Sequence, residues 1–300
     1  MDDKLTSKSD EAARSAYRGR LAPSPTGYLH LGHARTFWAA SERARSRGGT
    51  LVLRNEDLDP RRSRPAFAAA MLEDLRWLGI EWQEGPDVGG PFAPYTQSRR
   101  RELYLEAWAR LRAGGFLYPC ACSRRDLARA AAAPHEGLHD QDDEPLYPGT
   151  CRPPAGARPS QASRPAGANW RFRVPDGEEV VFQDLRRGRQ VFAAGRDFGD
   201  FVVWRRDDVP AYQLVVVVDD ALMKITEVVR GEDLLKSAAR QILLQRALGL
   251  ATPDYYHCRL VTDEAGARLA KRHDSLSLRA LRAAGVTPEQ LRARFARESW

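Results

Sequence analysis

Lysine is nearly missing from this chain of 300 residues: it stands only at positions 4, 8, 224, 236 and 271, and the other basic residues are arginine. Arginine keeps its charge at any ordinary pH and binds carboxylate or phosphate through a rigid fork, so the basic character is fixed rather than titratable. A lysine inside a motif therefore stands out. Cysteine is also scarce, with four residues. So few in so long a chain exclude a disulfide scaffold and fit a reducing cytoplasm. No apolar run approaches the roughly 20 residues of a membrane helix, and the polar, mixed-charge first residues do not resemble a signal peptide. No membrane association is expected. Charge, by contrast, is plentiful. Charged residues make up 29 % of the chain, net charge is +7 and the pI is near 9.4, which suits a polyanionic partner without proving one. The length allows a sizeable core and two or three domains.

The most informative stretch runs from Arg20 to His33, reading Arg-Leu-Ala-Pro-Ser-Pro-Thr-Gly-Tyr-Leu-His-Leu-Gly-His. A short apolar strand over 18–22 is broken by Pro23 and Pro25, turned at Gly27, and followed by a helix entering near Leu31 and stopping at Gly48-Gly49. His30 and His33 thus fall at a helix N-terminus, with Gly32 between them. Free N–H groups and the positive end of the dipole favour a phosphate there, and imidazoles can donate to its oxygens without the bulk of arginine. The plainer reading is a pair of histidines that cap the helix and face solvent. Residues 50–55 make a second apolar strand, and Arg54, Glu56, Asp57 and Asp59 lie at its carboxyl end, where α/β sheets gather ligands. A carboxylate there can hold an ammonium group, or the run can be a solvated acidic loop.

Apolar spacing predicts packing helices over 65–78 and 99–113. Cys120, Cys122 and Cys151 then cluster around an inserted loop rich in Ala, Asp and His, a pattern that favours zinc, with His135 or His139 as the fourth ligand on spacing alone. After a Pro/Ala/Arg/Gly-rich linker, short antiparallel strands are expected over 169–174, 180–184, 189–192 and 200–205. Arg186, Arg187 and Arg189 fit a charged hairpin or a phosphate-backbone contact. The run Tyr212-Gln-Leu-Val-Val-Val-Val-Asp-Asp reads as a parallel strand covered on both faces. A further strand over 224–230, a helix over 234–248, a last strand within 250–260 holding Cys258 as a core thiol, and two short helices over 276–300 complete the reading.

Pro-Ser-Pro-Thr-Gly-Tyr-Leu-His-Leu-Gly-His resembles the "HIGH" signature of class I aminoacyl-tRNA synthetases in its glutamate and glutamine form. The resemblance extends over about residues 18–298 and implies a fold: α/β, a Rossmann-type parallel sheet with an inserted zinc-bearing domain. It also implies roles. His30, His33 and Lys271 would be catalytic; with Gly32 they would hold ATP. Arg20, Leu21, Ala22, Pro23, Ser24, Glu56, Tyr212 and Arg230 would form the glutamate pocket, with Arg20 on the side-chain carboxylate and Glu56 on the α-amino group. Lys271 lies in a copy of the second signature, "KMSKS", in which Arg268 stands at the first lysine and Ala270 at the serine. Cys-x-Cys followed by Tyr-x-x-x-Cys is similar to the zinc site of the family's short branch, the glutamyl-queuosine tRNA(Asp) synthetases, and nominates Tyr147 over His135 or His139.

The implied organisation is a disordered tail over 1–16, Rossmann halves over 17–115 and 211–262, a zinc and acceptor-binding insertion over 116–210, a terminal segment over 263–300, and no anticodon-binding domain. The implied reaction activates glutamate with ATP and magnesium, then transfers it to queuosine in the anticodon loop of tRNA(Asp), by a cytoplasmic monomer. Glutamylation of a tRNA 3′ end, or a non-catalytic tRNA-binding relative, are the alternatives.

Overall fold

The computed structural model describes residues 16–123, 126, 146–261 and 277–297. The tail up to Ser15, His135, His139 and the segment with Arg268, Ala270 and Lys271 lie outside the described residues.

Strand β1 (Arg18–Leu21) pairs in parallel with β2 (Thr50–Leu53), joined by helix α1 (Leu31–Ser46). The helix ends where the sequence says it must. Gly48 has φ +58, and a Cβ on Gly49 would come within 2.6 Å of the Tyr17 carbonyl oxygen, so the chain can reverse closely only without side chains there. Helices α2 (Pro65–Trp77) and α3 (Arg101–Ala113) follow, both within two residues of the predicted bounds.

Strands β3 (Leu117–Cys120), β4 (Asn169–Phe172) and β7 (Phe201–Trp204) form a separate antiparallel sheet. Its apolar face meets α3, with Trp108 and Trp170 edge to face at 4.9 Å between ring centroids. The hairpin of β5 (Glu179–Asp184) and β6 (Gly188–Ala193) does not join these strands. It adds to the edge of β9 (Asp254–Cys258) through a parallel bridge between Asp184 and Tyr255. Val180 and Tyr255 share one buried cluster, with Phe182 packed against it, and that packing draws the hairpin across.

One expectation is corrected. Residues 212–220, read as a buried parallel strand, belong to helix α4 (Tyr212–Leu222). An unbroken apolar run does not distinguish a strand covered on both faces from a helix buried all round, and β-branched valine tipped the reading toward strand. The packing decides: α4 lies among α3, α5 (Leu235–Leu248) and β7, and every residue from Leu214 to Asp220 is buried.

Strand β8 (Glu227–Gly231) pairs in parallel with β9. It also lies beside β1, where the Thr226 amide donates to the Arg18 carbonyl at 2.9 Å. The parallel strands therefore run in the spatial order β2, β1, β8, β9. Helices α6 (Leu278–Ala283) and α7 (Pro288–Arg297) close the described chain, and the Leu278 amide bonds the Leu29 carbonyl next to the first turn. No helix among the described residues is long and apolar enough to cross a membrane.

Candidate active site

A cavity of about 370 Å³ opens where β1, β2, β8 and β9 end. It collects nearly every residue that the sequence nominated for glutamate and ATP. Arg20 comes from β1, Ala22, Pro23 and Ser24 from the turn after it, Glu56 from beyond β2, Tyr212 from the first turn of α4, and Arg230 from β8. His30, Gly32 and His33 line the same cavity at the start of α1. Among the described residues Leu21 is the exception: its side chain is 0 % exposed and sits in the core behind the site. Of the four charged residues at the end of β2, only Glu56 reaches the cavity. Arg54 is buried behind it, Asp57 accepts from the amide and hydroxyl of Ser98, and Asp59 accepts from the Arg61 amide.

His30 is the N-cap of α1, and its Nδ1 accepts from the amides of Gly32 at 3.1 Å and His33 at 3.4 Å. That pairing places the ring proton on Nε2, the nitrogen able to donate outward. The His33 ring stacks on it at 3.7 Å between centroids. Two imidazoles and a helix start thus share one wall of the cavity, a geometry suited to phosphate oxygens.

Arg20 and Arg230 line the same cavity. Arg20 is buried, donates through Nη1 to the Val229 carbonyl at 2.7 Å, and keeps Nε 3.7 Å from Asp220. Burial draws its guanidinium below the ordinary value, while Asp220 opposes that shift. Arg230 donates through Nε to His257 and through Nη1 to Gln241, whose amide in turn bonds Gln213. Burial lifts the carboxyl of Glu56 above its usual range against the pull of Arg54. An arriving ammonium would restore to that carboxylate the charge compensation that water no longer provides.

Behind the site lies a buried ionic network that sequence reasoning missed. Arg54, 0 % exposed, donates to Glu56 at 3.0 Å and to Asp220 at 2.7 Å, with Asp219 at 3.6 Å. Burial works against the charge on Arg54, but Asp220, Glu56 and Asp219 outweigh it and hold the guanidinium firmly protonated. Asp219 also accepts from Arg100, Gln97 and Tyr104. Two of the network's three acids, Asp219 and Asp220, take their places because residues 212–222 are a helix. Consecutive positions there turn by about 100°, so Asp219 faces α3 while Asp220 faces Arg54 and Arg20.

The cysteines form a second centre. The sulfur atoms of Cys120, Cys122 and Cys151 lie within 4.8 Å of one another, and Cys122 and Cys151 stand 3.6 Å apart. Thiolates about 2.3 Å from a tetrahedral zinc stand about 3.8 Å from each other, so the cluster fits a metal ion. The Tyr147 hydroxyl lies 3.5 Å from Cys120 Sγ and 3.9 Å from Cys122 Sγ. Arg171, also missed, donates to Cys120 Sγ at 3.4 Å and lies over the Tyr147 ring. Burial would raise the Cys151 thiol, but its bonds to Tyr147 and the Ala121 amide bring it down to about 7, whereas burial and the bond to Cys151 push the Cys122 thiol up to about 11. Cys258 differs: burial pushes its thiol up to about 12, as expected of a core cysteine.

Known proteins agree with this architecture. Residues 16–300 match the family described as tRNA synthetases class I (E and Q), catalytic domain. The chain is 54 % identical over 273 residues to the glutamyl-Q tRNA(Asp) synthetase of Symbiobacterium thermophilum, covering 90 % of this chain and 83 % of that protein. It is 49 % identical over 273 residues to the protein of the same name from Nitratidesulfovibrio vulgaris, covering 90 % of this chain and 82 % of that one. Among solved structures, the glutamate-tRNA synthetase of Elizabethkingia anophelis superposes with a TM-score of 0.73 at 31 % identity, over 86 % of this chain and 53 % of that one. A strand-turn-helix with paired histidines, a cavity at the strand ends and these relatives carry one conclusion: the chain belongs to the class I tRNA synthetases (E and Q), in their catalytic domain.

Proposed function

We propose that the chain activates glutamate with ATP and transfers it to queuosine in the anticodon loop of tRNA(Asp), as a monomeric cytoplasmic enzyme. The observation that carries this reading is one cavity lined together by Arg20, Arg230, the buried carboxylate of Glu56 and the His30/His33 helix start. A dicarboxylic amino acid needs a cation for its side chain and an anion for its ammonium. Arg20 and Arg230 serve the first, Glu56 the second, and Tyr212 walls the pocket.

The α-carboxylate then attacks the α-phosphorus of ATP, the bond to the β-phosphate oxygen breaks, and pyrophosphate leaves. Positioning and neutralisation of oxygen charge account for most of such catalysis. His30 Nε2 and His33 donate to the phosphates, and Lys271, beyond the described residues, adds a cation as charge develops. Leu260 and Val261 offer the base an apolar wall. Magnesium accompanies ATP and offsets phosphate charge. A hydroxyl of the acceptor next attacks the activated carbonyl and releases AMP. The assignment of queuosine as acceptor is supported by the names of the two relatives above, each matched over more than four fifths of its length.

Glutamate-dependent ATP–pyrophosphate exchange without any RNA is the direct test. Lys271→Ala should slow exchange by about 10²-fold or more with little change in the KM for glutamate, because its contribution grows toward the transition state. Arg20→Ala should instead raise the KM for glutamate steeply. Absence of exchange under every condition would point to a non-catalytic relative.

We propose further that Cys120, Cys122, Cys151 and Tyr147 hold one structural zinc. It would tie the end of β3 to the turn at 147–151, with Arg171 beside the ligands offsetting their negative charge. Protein purified without added metal should carry one equivalent of zinc by atomic emission, and Cys120→Ser should lose it. Retention of zinc in Tyr147→Phe, with loss in the His135→Ala/His139→Ala pair, would replace Tyr147 in the ligand set.

A further inference from the structure

His257 in β9 and Asp184 at the end of β5 are both 0 % exposed, and neither touches the cavity. Together they reach it through Arg230. The Arg230 Nε lies 3.0 Å from His257 Nε2, and His257 Nδ1 lies 2.6 Å from Asp184 Oδ2. A guanidinium can only donate, so Nε2 must present its lone pair and Nδ1 must carry the proton. The imidazole is therefore neutral and confined to one tautomer. Burial favours that state by pushing the His257 pKa down, although the bond to Asp184 pulls the other way. Asp184 is anchored in turn, since its Oδ1 accepts from the amides of Arg186 at 3.0 Å and Arg187 at 2.7 Å in the turn between β5 and β6.

The remaining nitrogens of Arg230 complete the picture. Nη1 donates to Gln241 at 2.8 Å, while Nη2 is buried with no partner among the described residues. Two of the three nitrogens are held from behind, and the third is left for a ligand oxygen. An acid placed directly on Arg230 would neutralise the guanidinium and compete with a substrate carboxylate. A neutral imidazole between them fixes the geometry and leaves the positive charge for the ligand.

We propose that Asp184 and His257 are positioning residues for glutamate recognition: the chain Asp184–His257–Arg230 sets the orientation in which Arg230 presents Nη2 to the substrate's side-chain carboxylate. The proposal rests on the assignment of Arg230 to the glutamate pocket. It also gives the β5–β6 hairpin a role, because its addition to β9 is what delivers Asp184.

The test compares four variants in pyrophosphate exchange. In Asp184→Asn the side-chain oxygen stays with the Arg186 and Arg187 amides and turns an N–H toward His257. That selects the other tautomer and sets Nε2–H against the Arg230 N–H. His257→Phe removes the acceptor, whereas His257→Gln returns an oxygen near the place of Nε2. Asp184→Asn and His257→Phe should each raise the KM for glutamate roughly tenfold or more, as expected for loss of a bond to a charged group, while His257→Gln stays within roughly threefold of the parent. The KM for ATP should not move in any of them. A parent-like KM for glutamate in both disruptive variants, with Arg230→Ala raising it, overturns the proposal. So do equal rises in both KM values, or a His257→Gln variant no better than His257→Phe. Should Asp184→Asn fail to fold, the Phe and Gln pair decides. Arg230→Ala with an unchanged KM for glutamate would instead remove the pocket assignment itself, and this proposal with it.

Discussion

Arg54→Met should lower the thermal midpoint by on the order of 10 °C and raise the KM for glutamate. Among the described residues Arg54 is the one cation that touches Glu56, Asp219 and Asp220 together, and all four side chains are buried. Asp219 would keep Arg100, Gln97 and Tyr104. Asp220 would be left with Arg20 at 3.7 Å, and Glu56 with Gln97 at 3.4 Å. Removing one member of a buried ionic group leaves uncompensated charge, at about 3–5 kcal/mol. For a chain of this size each kcal/mol moves the midpoint by roughly 1.5–2 °C. Arg54→Lys should recover only part of the loss, since a point charge does not reach three carboxylates as a planar fork does. The kinetic consequence follows from Glu56, which would lose both bonds from Arg54, at 3.2 and 3.0 Å, and keep the longer one from Gln97. A midpoint within about 2 °C of the parent would show that the acids find other partners or water, and that the network is not what holds Glu56 in place.

That network marks the limit of what the sequence made legible. The first turn could be read because its signals are local: Pro23, Pro25 and Gly27 each constrain the backbone where they stand, and Gly48-Gly49 ends the helix for steric reasons next to Tyr17. The spacing of His30, Gly32 and His33 put all three on the cavity wall for the same reason. Arg20, Tyr212 and Arg230, and the choice of Glu56 among the acids after β2, were reachable only through resemblance, because four elements bring them together from distant parts of the chain. Tyr212 was nominated on a strand and is found at a helix start. What mattered for the pocket was where the segment begins, which both readings share.

The partners behind these residues carried no local mark. Asp219 and Asp220 end an apolar run and the sequence assigns them no role of their own, yet both are buried. Asp184 closes a hairpin strand whose own sequence predicts a charged turn, and only its parallel bridge to Tyr255 brings it beneath Arg230. The turn itself fits the charged-hairpin reading, with Arg187 paired to Glu232 at 3.1 Å. Arg171, in a short strand, gives no hint that it will lie against Cys120 and Tyr147. Long-range pairing decides each of these, and periodicity does not encode it.

Glutamate should label tRNA(Asp) that carries queuosine and leave the same tRNA with unmodified guanosine blank. An activated carboxyl at this cavity reacts with whichever nucleophilic hydroxyl is held beside it, and the protein's task is placement. The cyclopentene ring of queuosine offers two vicinal hydroxyls arranged much as in a ribose, so a site built for a terminal diol can accept it without new chemistry. An anticodon loop also presents unstacked bases and a bent phosphate backbone, the form in which RNA is most readily read, and a surface of net charge +7 supplies attraction for it. Guanosine lacks the ring, and the nearest ribose hydroxyls of the loop lie along the backbone rather than at the tip of the base. The difference between the two tRNAs should therefore be close to all or none in a filter assay with labelled glutamate. Trimming the 3′-terminal nucleotides should make little difference, and raising salt should weaken transfer while sparing pyrophosphate exchange. Labelling that requires an intact 3′ end, or that proceeds equally well on tRNA(Glu), would assign the chain to ordinary 3′-end glutamylation, with the same pocket and the same adenylate serving a different acceptor.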